Sequence, residues 1–578
     1  MMQRSWRIVG TVLASCLILS LLSTACTPAP QPSQPAVQTV VVTSEVQQVV
    51  QQTVQVPVQQ TVQVPVVVTA TPPPKGGTLV MGDDKDPSGI DPHVQVAWEV
   101  LRIDGSIYDP LVWQDPQTDQ FVPGLAQSWT VSDDGLTYTF KLRQDVKFQD
   151  GTPFNAQAVK VNIDRIMDPA TQSQCAKGLL GPLDSVAVVD DYTVAFKLKS
   201  PFAFLLNGLS LPYVAMASPA ALQKWGTQYE LHQVGTGPFI MKEYVPNDHL
   251  TLVKNPDYNW APKIFAHQGP AYLDQITWRF LPEDGSRVPA LEAGDVDFVF
   301  SVPPIDANRV QNDPRFNLQT QRLAGQPLYY FLNTQLAPTD DINIRKAIEY
   351  ATDQQSIMNA VLRGLYPPAT GPLSAATYEY TDTVKGMYSY DLNKAKALLD
   401  QAGWTAGPDG MRSKDGKPLT LLMASQSWGF IDPISQMLQG QLRQAGFDVQ
   451  IEEMTYPGQM EAGAKGTKNM TVMGGSGFFA YDSLTGFFAS QNADSGFAWS
   501  KFKSPDLDKL LADGAATSDP VQRKAIYGQA QVMIMNQALI VPIYDYTVLI
   551  GADKQLQGLR WDSTGLWPWL YDAYMTNQ

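Results

Sequence analysis

Residues 136–142, Leu-Thr-Tyr-Thr-Phe-Lys-Leu, alternate apolar and polar side chains, the period of a half-buried strand. Asp134-Gly135 stands just ahead of them and predicts a hairpin turn. At 155–169 the period changes. Asn155 is placed to cap a helix, Val159, Ile163 and Ile166 fall on one face, and Pro169 ends it. A second helix is predicted from the cap Asp391, with Leu398 and Leu399 facing inward and Gly403 as its C-terminal glycine. Residues 434–454 read as a helix that turns into a strand at Gly446, after which Phe447, Val449 and Ile451 share a face. Helix, glycine, then alternating strand is half of an α/β unit, so the chain is read as mixed α/β. Gly235 and Gly237 flank Thr236 ahead of Pro238, which predicts a rigid turn.

The N-terminal pattern is of another kind. Arg4 and Arg7 precede an apolar run from Ile8 to Leu22, and small residues then lead to Cys26. This is the layout of an export signal, too short and interrupted to span a membrane comfortably. Small residues before a cysteine resemble a bacterial lipobox, which implies that Cys26 is acylated. Simple secretion is the alternative. Residues 27–75 hold one acid, Glu45, and one base, Lys75, among Pro, Gln, Thr and Val, with TVQVPV at 53–58 and again at 61–66. Such a segment buries no core and reads as a tether, roughly 150 Å long if it is polyproline-like at about 3.1 Å per residue.

Residues 76–578 are too many for a single core. The chain carries 56 acidic against 41 basic residues and no long basic run, which argues against a nucleic-acid partner. Of three cysteines, only Cys175 belongs to this body, so no disulfide framework is expected. Four histidines without zinc spacing, no CxxC and no phosphate-binding loop leave no cofactor or metal to expect. Asp83, Asp84 and Asp86 have the composition of a cation loop, but a solvated loop is the better account of them. Gly-Gly-Ser-Gly-Phe at 474–478 falls short of a nucleophile elbow, and no enzyme is predicted.

Residues 474–488, GGSGFFAYDSLTGFF, place bared backbone beside five aromatic rings. Either another strand packs there, or a ligand with flat or extended parts does.

Collinear blocks at 125–169, 234–260, 290–299, 329–357, 390–404 and 504–544 resemble the extracellular solute-binding proteins of family 5, the peptide- and nickel-type binding subunits of ABC importers. The resemblance implies a two-lobed periplasmic-binding-protein-like fold (type II, with an enlarged first lobe and a hinge) that closes on its ligand. It divides the chain into signal 1–26, linker 27–75, first lobe 76–325, second lobe 326–538 and a return segment 539–578. It also implies ligand contacts from Trp98, Tyr329, Trp428, Phe430, Tyr456, Phe478, Phe479, Tyr481 and Asp482. Ala480 stands where peptide-binding members carry an acid for the peptide amine, and Asp482 is the nearest acid. Small residues near Gly463 and Gly474 stand where relatives carry arginines. The expected role is capture of a peptide and delivery to permease subunits, by a monomer lipid-anchored at the outer face of the cell membrane. An oligosaccharide importer subunit, a sensor and a secreted hydrolase with cleft carboxylates are the alternatives.

Overall fold

Two sheets organise the chain, and its order within them explains how a cavity forms between them. The computed structural model describes residues 76–87, 89–475 and 477–576. The export signal, Cys26 and the tether 27–75 lie outside the described residues. The larger sheet has seven strands in the order Phe316–Arg322, Thr547–Asp553, Phe298–Val299, Thr78–Asp83, Gln275–Phe280, His249–Lys254, Phe239–Val245. Thr78–Asp83 pairs in parallel with Gln275–Phe280, and Phe316–Arg322 pairs antiparallel with Thr547–Asp553. The smaller sheet has five strands in the order Asp448–Glu453, Thr420–Ser425, Met470–Met473, Leu328–Leu332, Ile540–Tyr544. A four-stranded antiparallel sheet, Ala126–Val131 to Leu183–Asp190, enlarges the first lobe.

The chain therefore changes sheet between Arg322 and Leu328 and returns between Tyr544 and Thr547. The return comes later than the 539 read from sequence. Ile540–Tyr544 is still hydrogen-bonded to Leu328–Leu332, and only Asp545 and Tyr546 cross.

The periodic segments fold as their patterns dictate. Asn155 accepts a hydrogen bond from the Ala158 N–H at 3.0 Å and caps helix Ala156–Met167. Asp391 does the same for Leu392–Gln401 through the Lys394 N–H at 2.9 Å. Helix Ile431–Ala445 ends at Gly446, whose φ of 104° favours glycine, and strand Asp448–Glu453 follows. Asp83 and Asp84, read as a possible cation loop, are instead tied to Arg102, and Asp84 bonds it at 3.0 Å. Among the described residues no acidic, histidine or cysteine cluster is placed to hold a metal.

The Gly235–Pro238 turn is needed for close approach. Cβ atoms at Gly235 and Gly237 would collide with the Ile107 carbonyl, to which Gly237 instead donates a hydrogen bond of 2.8 Å. Gln149 donates to the same carbonyl at 3.0 Å. These contacts pin the C-terminal end of helix Trp98–Ile107 and so fix the position of its first residues.

Within that helix Asp104 is fully buried, and neither carboxylate oxygen has a hydrogen-bond partner. Burial, with a smaller push from Asp91, raises its pKa well above the usual carboxylate value. The folded protein thus holds this proton more tightly than the unfolded chain. The contribution is intact below the ordinary carboxylate pKa and is lost as pH rises through the raised one. Asp104→Asn should accordingly gain stability over the parent progressively as pH rises above the ordinary carboxylate pKa, read by urea unfolding. A pH-independent difference would contradict an uncharged Asp104.

Candidate functional site

The two crossings run side by side. The Leu323 N–H donates to the Tyr546 carbonyl at 2.8 Å, the Ala375 N–H to Asp545 Oδ2 at 3.1 Å, and the Gly475 N–H to the Gln326 carbonyl at 3.2 Å. Asp545 is buried, which pushes its pKa up to about 6, and Arg322 lies 3.6 Å away. Packing against these crossings accounts for the glycines at 474–477. A Cβ at Gly474 would lie 2.7 Å from Leu328 Cα, and one at Gly325 would collide with the Gly477 carbonyl. Gly475 and Gly477 also have φ of 72° and 83°, the left-handed region. The bared backbone thus serves first to let chain pass chain.

Beside the crossings is a cavity of about 1900 Å³. That is roughly twice the ~1,000 Å³ upper range of pockets for drug-sized ligands, room for an extended molecule. One wall is a row of rings. Trp98 meets Tyr546 edge-on at 6.0 Å, and Tyr546 lies 6.2 Å from Trp428. Tyr544 and Tyr366 extend the row to Phe430, with centroids 5.3, 5.5 and 5.8 Å apart. Trp428 is 51% exposed, an unusual state for an indole and one that leaves a face open to a ligand. Across the cavity, Tyr481 packs on Phe202 at 4.8 Å and Phe204 at 5.8 Å, and Phe478 on Tyr213 at 5.8 Å. These contacts join the second-lobe segment to the first lobe.

Eight of the nine ligand residues expected from sequence line this cavity: Trp98, Trp428, Phe430, Tyr456, Phe478, Phe479, Tyr481 and Asp482. Tyr456 is 62% exposed at its edge. Tyr329 does not line it. Strand Leu328–Leu332 is flanked on both sides by other strands, and Tyr329 is 0% exposed between Phe331 and Phe488. Sequence reading missed Tyr366, Tyr544 and Tyr546. Tyr544 ends a strand and Tyr546 lies in the crossing that follows, and both reach the cavity because the chain crosses there.

The acids in the lining differ in how their charge is met. Asp84 bonds Arg102, Asp284 bonds Arg287, and Glu453 accepts from Ser427. Asp482 accepts three backbone N–H bonds, from Phe478 at 2.7 Å, Phe479 at 2.8 Å and Ser483 at 2.9 Å. Burial raises its pKa to about 6 against those bonds. Its carboxylate is therefore committed to shaping its own loop. Nor is there room for arginines at the small positions: a Cβ at Gly463 would run into the Trp499 ring. Glu99, Lys85 and Arg363 also line the cavity and make no side-chain hydrogen bond or ion pair among the described residues. Asp482→Ala should lower the stability of the ligand-free protein by about 1–2 kcal/mol, the scale of a lost cap. Unchanged denaturant stability would mean that the carboxylate is not needed by its loop.

Comparison with known proteins agrees with this architecture. Residues 120–496 match the model of the bacterial extracellular solute-binding proteins, family 5 Middle. The glutathione-binding protein GsiB of Escherichia coli (strain K12) is 34% identical over 445 residues, which is 75% of this chain and 82% of that protein. The periplasmic binding protein DppA from Helicobacter pylori, solved with the peptide STSA, is 26% identical with a TM-score of 0.70, covering 87% of this chain and 99% of its own. NikA from Brucella suis, solved with Fe(III)-EDTA, is 26% identical with a TM-score of 0.75, covering 86% and 100%. With two sheets joined by paired crossings around a ligand-sized cavity, this chain belongs to the bacterial extracellular solute-binding proteins of family 5 and has their two-lobed α/β fold.

Proposed function

We propose that this protein captures a peptide in the cavity between its two sheets and hands it to the permease of an ABC importer. The observation that carries the reading is the lining itself. Ring faces stand beside unpaired side chains of both signs, Glu99 against Lys85 and Arg363. A peptide is a chain of apolar and polar side chains with opposite charges at its ends, and it matches that combination. A neutral oligosaccharide would use the rings and leave the ions unmatched, so it is the weaker reading. Relatives solved with or named for peptide ligands support the same choice.

Binding without catalysis fits both the family and the site. Four of the five acids in the lining are held by arginine, hydroxyl or backbone partners, so the lining presents no pair of unpartnered carboxylates among the described residues. Closure would be a rotation about the paired crossings, the ligand favouring the closed state by touching both walls. A lipid on Cys26 would hold the body at the outer face of the cell membrane through the 27–75 tether, and the protein would act as a monomer. Among the described residues no helix is long and apolar enough to cross a membrane.

Denaturing freshly purified protein and identifying the released small molecules by mass spectrometry should yield peptides. Release of a sugar and no peptide would overturn the reading. Separately, Cys26→Ser should move the protein from the membrane to the soluble fraction with its ligand affinity unchanged. Equal membrane partitioning of both forms would remove the anchor.

A further inference from the structure

The rings account for apolar contact, and the question left is where a peptide's positive end is met. Five acids line the cavity: Asp84, Glu99, Asp284, Glu453 and Asp482. Three are held by an arginine or by several backbone N–H groups, and Glu453 accepts one hydroxyl hydrogen bond. Arg102 takes Asp84, Arg287 takes Asp284, Ser427 donates to Glu453, and three backbone N–H groups occupy Asp482. Glu99 alone has no hydrogen-bond or ion-pair partner among the described residues.

Its setting favours a cation. Glu99 sits in the first turn of helix Trp98–Ile107, directly after Trp98. Trp98 opens the ring row that continues to Tyr546 and Trp428. Aromatic faces attract ammonium groups, and a carboxylate beside them supplies the formal charge. The one guanidinium close by in the helix, Arg102, is already engaged by both Asp83 and Asp84 and lies over the Phe300 ring at 4.1 Å. Glu99 feels the charge of Arg102 through space but makes no direct pair with it, so its carboxylate oxygens remain open to a ligand. Its position also places the cation site on the first-lobe wall, where the Trp98 ring packs close to Gly475.

We propose that Glu99 receives the α-amino group of the bound peptide, with Trp98, Tyr546 and Trp428 as the aromatic wall beside it. This rests on the peptide reading given above, and it replaces Asp482 in the role that the sequence suggested for it.

The test uses a lysine-free random library of two- to five-residue peptides in two pools, one with free amino termini and one N-acetylated. Both pools compete for the purified protein, and the retained peptides are counted by mass spectrometry. The parent should retain free-amine members about tenfold or more over acetylated ones, as a charge-assisted contact in a partly buried site gives. Glu99→Gln should bring that ratio close to one, and Glu99→Asp should keep part of it. A zero-length carbodiimide coupling on the parent, which needs no variant to fold, should join the peptide amine to the Glu99 carboxylate. Coupling at Asp482 or Glu453, or a Gln variant that still prefers free amines, would overturn the assignment. Retention of both pools equally would remove the role of Glu99 and leave the peptide reading standing. Retention of neither pool would remove the peptide reading itself, and the amine site with it.

Discussion

Every feature of the cavity depends on two stretches of chain, 323–327 and 545–546, passing side by side between the sheets. Backbone cannot cross a protein interior with its amides unpaired, so each crossing needs partners. Leu323 takes Tyr546, Gly475 takes Gln326, and Asp545 is held by the Ala375 N–H beside Arg322. Close passage forces glycine where Gly325 meets Gly477 and where Gly474 meets Leu328. The same geometry turns Tyr544 and Tyr546 into the cavity as its fixed rings, and Trp98 and Trp428 stand against them from either lobe.

Charge is managed unevenly around that frame, and the unevenness separates scaffold from site. Asp482 is buried and accepts three N–H bonds, so it shapes the loop that carries Phe478 and Tyr481. Arg287 donates to the carbonyls of Ser301, Leu281 and Pro282 and stabilises the turn around them. Charged side chains satisfied in this way have little left for a ligand. Glu99, Lys85 and Arg363 line the cavity without side-chain hydrogen bonds or ion pairs among the described residues.

Local elements were legible in the sequence because their causes are local. Asn155, Asp391 and Gly446 mark helix ends through contacts with residues three or four positions away. The aromatic candidates at 428, 430, 478, 479 and 481 came from their positions in the family pattern, and the structure places them in the cavity lining. Tyr329 was misplaced because one residue in a strand pointing to the cavity and one buried between strands look alike in sequence. The reverse holds for Tyr546, whose exposure to the cavity follows from a crossing that no local pattern encodes. The state of Asp482 was hidden for the same reason: an acid beside a tyrosine reads as a ligand group until its own backbone is seen to occupy it.

On this reading both walls, which the chain links through the paired crossings, hold one ligand between them. Hydrogen–deuterium exchange on the purified protein, before and after saturation with a peptide it retains, tests this most directly. Slower exchange is expected on both walls together, in the first turn of helix Trp98–Ile107 and across residues 477–488. Protection confined to one wall, or found only on an outer face, would contradict it.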